Sequence, residues 1–368
     1  ASNTPGYVGD ASLLFNIATP RGETLLLPRI RYQNFKDEDD IQRVETFFDA
    51  DSVYRWERAT FDLNASYSKR DVYNTETLGG EFDPNDPDAP DNPESGTTTT
   101  GETRQLMRIS PNYEYRLSER MGLGFDATYQ VAEYSSDDVV TKSDYDFGLL
   151  GAYLNWDVSQ RGRLRAGLYA SNFETDDGSE KAEAVGGELG YGFRWSETDG
   201  FEASLFYEQN DITEVDPLGV RTDDTVSDVG GSLSAYRKLE VSAWRASISR
   251  RFAPTGDRGK STIDQFRLQY DRDLSERLKF RGAARYESRS GLTDEIGGSN
   301  DRDYARLDLG LKWDITQTWY VGGGYAYIWQ DRAADPTDAD NNKFFVYFGY
   351  QGLSRRPTRL QDPRKELE

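Results

Sequence analysis

Seven basic residues share one parity within successive segments of the chain between residues 241 and 314: Arg245, Arg267, Lys279, Arg281, Arg285, Arg306 and Lys312. Guanidinium and ammonium groups along one face of an extended chain bind carboxylates, sulfates or phosphates, so the chemistry on offer is recognition of an anion. A second set on the same side is aromatic: Tyr169, Phe206, Tyr236, Tyr320, Phe345 and Tyr347. The C–H faces of sugar rings pack on such planes. The carboxylates Asp62, Asp126, Glu188, Glu202 and Glu208 occupy the equivalent side of segments before residue 212, so one wall reads as basic and another as acidic. Both sets have a plainer reading, in which inward charges pair across strands and rings fill space.

Bond-making chemistry has few candidates. Among 368 residues there is no His and no Cys, which removes thiol nucleophiles, imidazole bases and zinc sites by inventory. Carboxylate-only hydrolysis stays possible in principle, but no pair of acids is singled out. The expectation is therefore no enzyme, no cofactor and no metal centre. The loop from Asp83 to Glu94 carries many carboxylates without the EF-hand spacing, and reads as solvated surface.

The elements that must position these side chains announce themselves by alternation. Phe61, Leu63, Ala65 and Tyr67 alternate with Asp62, Asn64, Ser66 and Ser68; Met121 to Val131 and Ala305 to Trp313 repeat the pattern. Segments of about ten residues with period two, apolar out and polar in, are the signature of a membrane-spanning barrel. A soluble sandwich would alternate as well, and the connections decide between them. Very short turns recur about every 40 residues at Leu117–Arg120, Val158–Arg161, Trp195–Thr198, Arg237–Glu240, Leu274–Arg277 and Ile315–Thr318. Long polar loops lie between them, the longest from Thr77 to Gly101. Trp56, Tyr115, Trp156, Trp195, Trp313 and Trp319 sit beside the short turns, while Tyr207, Tyr286, Tyr327 and Trp329 sit toward the loops. Such sorting is that of two interfacial girdles.

The expected fold is all-β: an antiparallel up-and-down transmembrane β-barrel with short periplasmic turns and long extracellular loops. Counting gives about 16 strands between residues 22 and 351, with 14 or 18 as alternatives. Residues 1–21 read as an N-terminal extension, a plug or lumen segment, because a seventeenth strand would put the N-terminus outside. Residues 352–368, with Pro357 and Pro363, read as a periplasmic tail. No apolar run approaches the roughly 20 residues of a membrane helix. The chain opens on Ala1 with no signal peptide, as a mature exported chain would, and the absence of Cys suits an oxidising envelope. A net charge of −21 argues against nucleic acid as partner. The partners expected are membrane lipid and lipopolysaccharide in a bacterial outer membrane. Gly186, Gly190, Gly192, Gly322 and Gly324 face inward, where they either let a chain approach closely or bend the strands.

Several stretches look alike and familiar: Tyr113 to Arg120 and Tyr270 to Arg277, both Tyr-x-x-x-Leu-Ser-Glu-Arg; Arg55 to Ser68; Arg302-Asp303-Tyr304; and the close from Phe344 to Tyr350. Together, from about Phe48 to Tyr350, they resemble the outer-membrane β-barrel porin family of Gram-negative bacteria often encoded beside exopolysaccharide loci. The resemblance implies a channel for polysaccharide secretion, working with periplasmic polysaccharide-export proteins. It brings no catalytic motif. The alternative is a general diffusion porin or a structural, surface-interaction barrel.

Overall fold

The computed structural model describes residues 6–35, 41–72, 102–136, 142–215, 218–254, 260–291, 301–332 and 339–351. The loop from Asp83 to Glu94 and the tail 352–368 lie outside the described residues. Eighteen strand segments follow in order: β1 Gly6–Ser12, β2 Phe15–Ala18, β3 Gly22–Phe35, β4 Ile41–Arg55, β5 Ala59–Asp71, β6 Glu102–Arg116, β7 Met121–Ser136, β8 Tyr145–Asp157, β9 Gly162–Thr175, β10 Glu180–Arg194, β11 Asp199–Val215, β12 Arg221–Lys238, β13 Ser242–Pro254, β14 Lys260–Asp273, β15 Leu278–Gly291, β16 Arg302–Asp314, β17 Trp319–Arg332 and β18 Ala339–Tyr350. Each pairs antiparallel with the next from β3 to β18, as expected for an up-and-down barrel.

Residues 6–18 correct the expectation of an extension outside the wall. β1 and β2 both pair with β3, and in one register: Gly6 lies opposite Phe35, and Ala18 opposite Glu23. They are one strand interrupted at Leu13 and Leu14, and the cause is Pro28 across the ladder. Leu13 N–H donates to the Pro28 carbonyl at 3.1 Å, but proline has no N–H to give back. The sheet has eighteen strands, the upper of the expected counts; because β1 and β2 share one register against β3, they fill a single place in the wall, and Gly6 stands at the long-loop end.

The short turns are built as the repeat suggested. The Ser118 hydroxyl accepts from the N–H groups of Arg120 and Met121, Ser275 from those of Arg277 and Leu278, and Thr316 from those of Thr318 and Trp319. A side-chain oxygen replaces the missing ladder partner at the bend. The ladder rows climb by about one residue per strand, as in the row Ala18, Glu23, Val53, Asp62, Asn112, Asp126. Strands are therefore tilted, the condition for curling a sheet into a barrel.

Outward positions form a continuous apolar band. Leu150, Leu168, Val185, Leu189, Leu205 and Val229 are all more than half exposed, Leu168 at 74%. Exposed Trp56, Trp156, Trp195, Trp313 and Trp319 ring the turn end. At the loop end the outward hydroxyls of Tyr67, Tyr129, Tyr286 and Tyr325 donate to Gln105, Asp146, Asp303 and Asn342. Eight residues separate Leu278 from Tyr286, about 27 Å of strand, and tilted by about 40° that span rises about 21 Å, most of the roughly 25 Å apolar band of such barrels. No described helix is long and apolar enough to cross a membrane; strands do the crossing. This is an outer-membrane β-barrel. Leu205→Arg, on the lipid face, is expected to lower stability by about 2–4 kcal/mol, while Ser204→Arg on the opposite face costs little. Urea unfolding from lipid vesicles measures the difference, and equal effects would mean the faces are assigned wrongly.

Candidate functional site

The inward face is where the candidate residues meet. Parity and register place all seven basic residues there, and they fall on neighbouring ladder rows. Arg267 lies opposite Arg285, and Arg285 opposite Arg306, so three guanidiniums stand side by side on β14, β15 and β16 at mid-height. Lys279 lies opposite Lys312 nearer the turns, and Arg245 opposite Gln269 one strand away. Arg281 falls on the row between.

The basic wall extends further than sequence parity indicated. Arg289 on β15 lies opposite Arg302 on β16, above the central row. Lys279, Arg281, Arg285 and Arg289 thus climb one strand, and Lys312, Arg306 and Arg302 climb the next. The ten residue steps from Lys279 to Arg289 cover about 33 Å along the strand, so the cations form a stripe that climbs with the strands. Arg251 on β13 joins it from the side, within electrostatic reach of Arg285, Glu287 and Arg289, and also of Arg108 on β6. Arg251 and Arg289 could have been found by continuing the parity of Arg245 and Arg285. Nothing in the sequence brings Arg108 near them, since that approach depends on how the sheet curls.

Carboxylates temper this stripe. Glu287, 2% exposed, accepts from Arg285 at 3.1 Å, from Arg289 at 3.4 Å and from Gln265 at 2.7 Å. Arg306 binds Asp308 through two contacts of 2.7 and 2.8 Å. Arg281 donates to Asp271, and Lys312 stands 3.9 Å from Asp314. Pairing across and along strands, the plainer reading, therefore applies to at least four of the seven expected residues. Arg245 and Lys279 form no ion pair among the described residues. Inward on β13 to β16, the cations Arg245, Arg251, Arg267, Lys279, Arg281, Arg285, Arg289, Arg302, Arg306 and Lys312 still outnumber Asp271, Asp273, Glu287, Asp308 and Asp314.

The expected acidic set also faces inward, and three of its five members share a single climbing row with Glu23: Glu23, Asp62, Asp126 and Glu208 are joined through Val53, Asn112, Gly151, Tyr169 and Gly186. Segregation of charge is incomplete here as well, with Arg165 3.7 Å from Asp126 and lying over the Tyr153 ring.

The six inward aromatics singled out by parity follow one rule invisible in the linear sequence. Tyr169 lies opposite Gly186, Phe206 opposite Gly230, Tyr236 opposite Gly200, Tyr320 opposite Gly349, Phe345 opposite Gly324 and Tyr347 opposite Gly322. In every case the ring occupies the space a Cβ at that glycine would need. The rings therefore lie down along the wall, over the backbone of the facing glycines, and Tyr236 and Tyr320 are buried there. The Lys312 ammonium sits 4.0 Å from the centre of the Tyr320 ring, and Phe345 stacks with Tyr347 at 6.2 Å. Gly186, Gly322 and Gly324 thus make room for neighbouring rings, which is neither of the two uses expected for them.

Comparisons with known proteins bear on the architecture. No family model and no curated protein matches the sequence. Among solved structures, the chain is similar to the ferric-catecholate import receptor Fiu from E. coli K12, with 9% identity and a TM-score of 0.50 over 95% of this chain and 73% of that one. It is similar to the FrpB iron transporter from Neisseria meningitidis at 9% identity and a TM-score of 0.50, over 90% of this chain and 63% of that one. The copper transporter OprC matches at 11% identity and a TM-score of 0.49 over 90% of this chain, which spans 63% of its length. At such identities the likeness is one of fold, an outer-membrane barrel wall.

Breaking the central network should be costly. Glu287→Gln leaves Arg285 and Arg289 buried without their carboxylate, and loss of about 3 kcal/mol is expected. The shift in unfolding midpoint of the reconstituted barrel checks it, and an unchanged midpoint would mean that water already satisfies both guanidiniums.

Proposed function

We propose that this chain is an outer-membrane transport channel through which an anionic exopolysaccharide leaves the cell. The observation that carries the reading is the stripe from Lys279 and Lys312 to Arg289 and Arg302, which runs with the transit axis instead of around it. A polymer repeats its charge along its length, so it can exchange one cation for the next while moving. Conduction requires each site to hold the solute weakly enough to release it. Carboxylates beside Arg281, Arg285, Arg306 and Lys312 weaken each site in that sense. Flat rings such as Tyr347 and Phe345 add stacking surface for the sugar without blocking the path.

The resemblance to porins encoded beside exopolysaccharide loci supports the same reading, as does the likeness of the wall to transporter barrels. In this reading periplasmic export proteins deliver the polymer to the short-turn face, lipopolysaccharide surrounds the loop end, and no step of catalysis is assigned to the barrel. General diffusion is the competing function, and it needs no directional stripe.

Conductance across a planar bilayer separates them. Oligosaccharides bearing uronate or sulfate groups are expected to block the current at lower concentration than neutral ones of equal length. The double variant Arg245→Gln, Lys279→Gln removes cations that have no carboxylate partner, and should raise the half-blocking concentration of the anionic sugar about tenfold, a loss of about 1.4 kcal/mol. A steady current indifferent to both sugars would favour the diffusion porin.

A further inference from the structure

The sheet has two edges that the fold leaves without a ladder. β1 and β2 pair only with β3, and β18 pairs only with β17 among the described residues. The side chains report the same opening. On β18, Phe344 is 79% and Val346 83% exposed, above Leu168 at 74%, the next most exposed large apolar residue of any strand. Every residue of β1 and β2 is exposed, whichever face it is on. Yet both edges lie within the apolar band, where no water is present to receive their N–H and C=O groups, and open edges do not persist in hydrocarbon.

Direction restricts what can close the gap. β1 and β2 run from the loop end toward the turn at Thr19, and β18 runs from its loop end to Tyr350, which lies opposite Trp319 beside a turn. The two edges are therefore parallel to one another. An antiparallel filler would have to climb between them, and the described residues offer none. Residues 352–368 carry Pro357 and Pro363, which cannot donate to a ladder, and bring Arg355, Arg356, Arg359 and Arg364 to a lipid face, where each costs about 2–4 kcal/mol at mid-depth. A second copy inserted in the same direction presents only downward edges too, and pays the entropy of association that two edges of one chain avoid.

We propose that β1 and β2 dock on β18, closing the wall through one parallel ladder into a barrel with an odd number of strands. The faces agree: Ala11, Phe15 and Ile17 point outward as do Phe344, Val346, Phe348 and Tyr350, and Asp10 with Asn16 point inward as do Phe345 and Tyr347. Levelling both strands from their turn ends sets Phe15 beside Phe348 and Ala11 beside Phe344. Odd-numbered barrels closed in this way are known, if uncommon. A parallel ladder is slightly weaker per residue than its neighbours, and this one is further interrupted at Leu13 and Leu14, so the seam is the part of the wall that opens first.

Cysteine pairs test it without background, since the chain has no Cys of its own. Two variants, Phe15→Cys with Phe348→Cys and Ala11→Cys with Phe344→Cys, are oxidised in outer membranes, each also moved by two residues along β18. Tyr325→Cys with Phe344→Cys, directly opposite across an existing ladder, is the control for folding and oxidation. Adjacent strands lie about 4.8 Å apart, within disulfide reach, so intramolecular disulfide in at least one seam pair is expected. Bridging only by a bis-maleimide of about 10 Å would mean that another strand occupies the seam, and would overturn the proposal. Disulfide between two copies, or no bridge by either route while the control forms, would overturn it as well.

Discussion

A bilayer offers no water to a peptide group, and every other feature of this molecule depends on that constraint. Each N–H and C=O in the apolar band has to find its partner on a neighbouring strand, which fixes an antiparallel ladder from β3 to β18 with hardly a gap. Period-two side-chain geometry follows from the ladder, and with it a strict division into residues that see lipid and residues that see the lumen. Leu205 and Ser204 differ by one position and live in different solvents. The exceptions confirm how tight the constraint is: Pro28 costs β1 and β2 their continuity, while Pro111 is tolerated on β6, where the ladder to β7 is interrupted between Ile109 and Asn112.

The same geometry organises the lumen. Because rows climb by about one residue per strand, residues distant in sequence become neighbours at one height, so Arg267, Arg285 and Arg306 form a tier and Lys279 with Lys312 another. Packing along a tier is also what lays the inward rings on glycines. A ring opposite a glycine covers backbone that would otherwise be bare and keeps its own edge out of the passage. The device works both ways along the β17–β18 ladder: Tyr347 covers Gly322, while Tyr320 covers Gly349.

Much of this was legible in the sequence because period two is a local property. The strands, the short turns at Leu117–Arg120 and Leu274–Arg277, the tryptophan ring and the inward side of Arg245, Arg267 and Tyr347 all follow from counting residues. What escaped is non-local. The pairing of rings with glycines depends on register between strands, and register is set by turn length and tilt together. The partnership of Arg285 with Glu287 was within reach, two residues apart on one face, but a carboxylate between guanidiniums also looks like random surface composition. Residues 6–18 differ from expectation for another reason: parity of strand number and the alternation of Ala11, Leu13, Phe15 and Ile17 point to different places for them. Local alternation was the better guide, since it reports on solvent at each residue whereas strand parity reports only on where a terminus ends.

The balance of charge in the lumen argues against treating the basic stripe as a uniform surface. An isolated arginine would hold a carboxylated sugar firmly; an arginine already sharing Glu287 or Asp308 holds it only as strongly as the difference between two partners. A graded path results, with Arg245 and Lys279 as the least satisfied positions and the Arg285–Glu287–Arg289 group as the most satisfied. For a small anion such a path is a series of shallow wells. For a polymer bound at several wells at once, release from one is offset by capture at the next, so affinity per site can be low while retention of the whole chain is high. Because Arg289, Arg302 and Arg306 are buried inside a wall flanked by hydrocarbon, salt screens their contacts less than it would on an open surface. Selectivity for repeated negative charge thus requires no tight site anywhere along the barrel, only a stripe of weak ones aligned with the direction of travel.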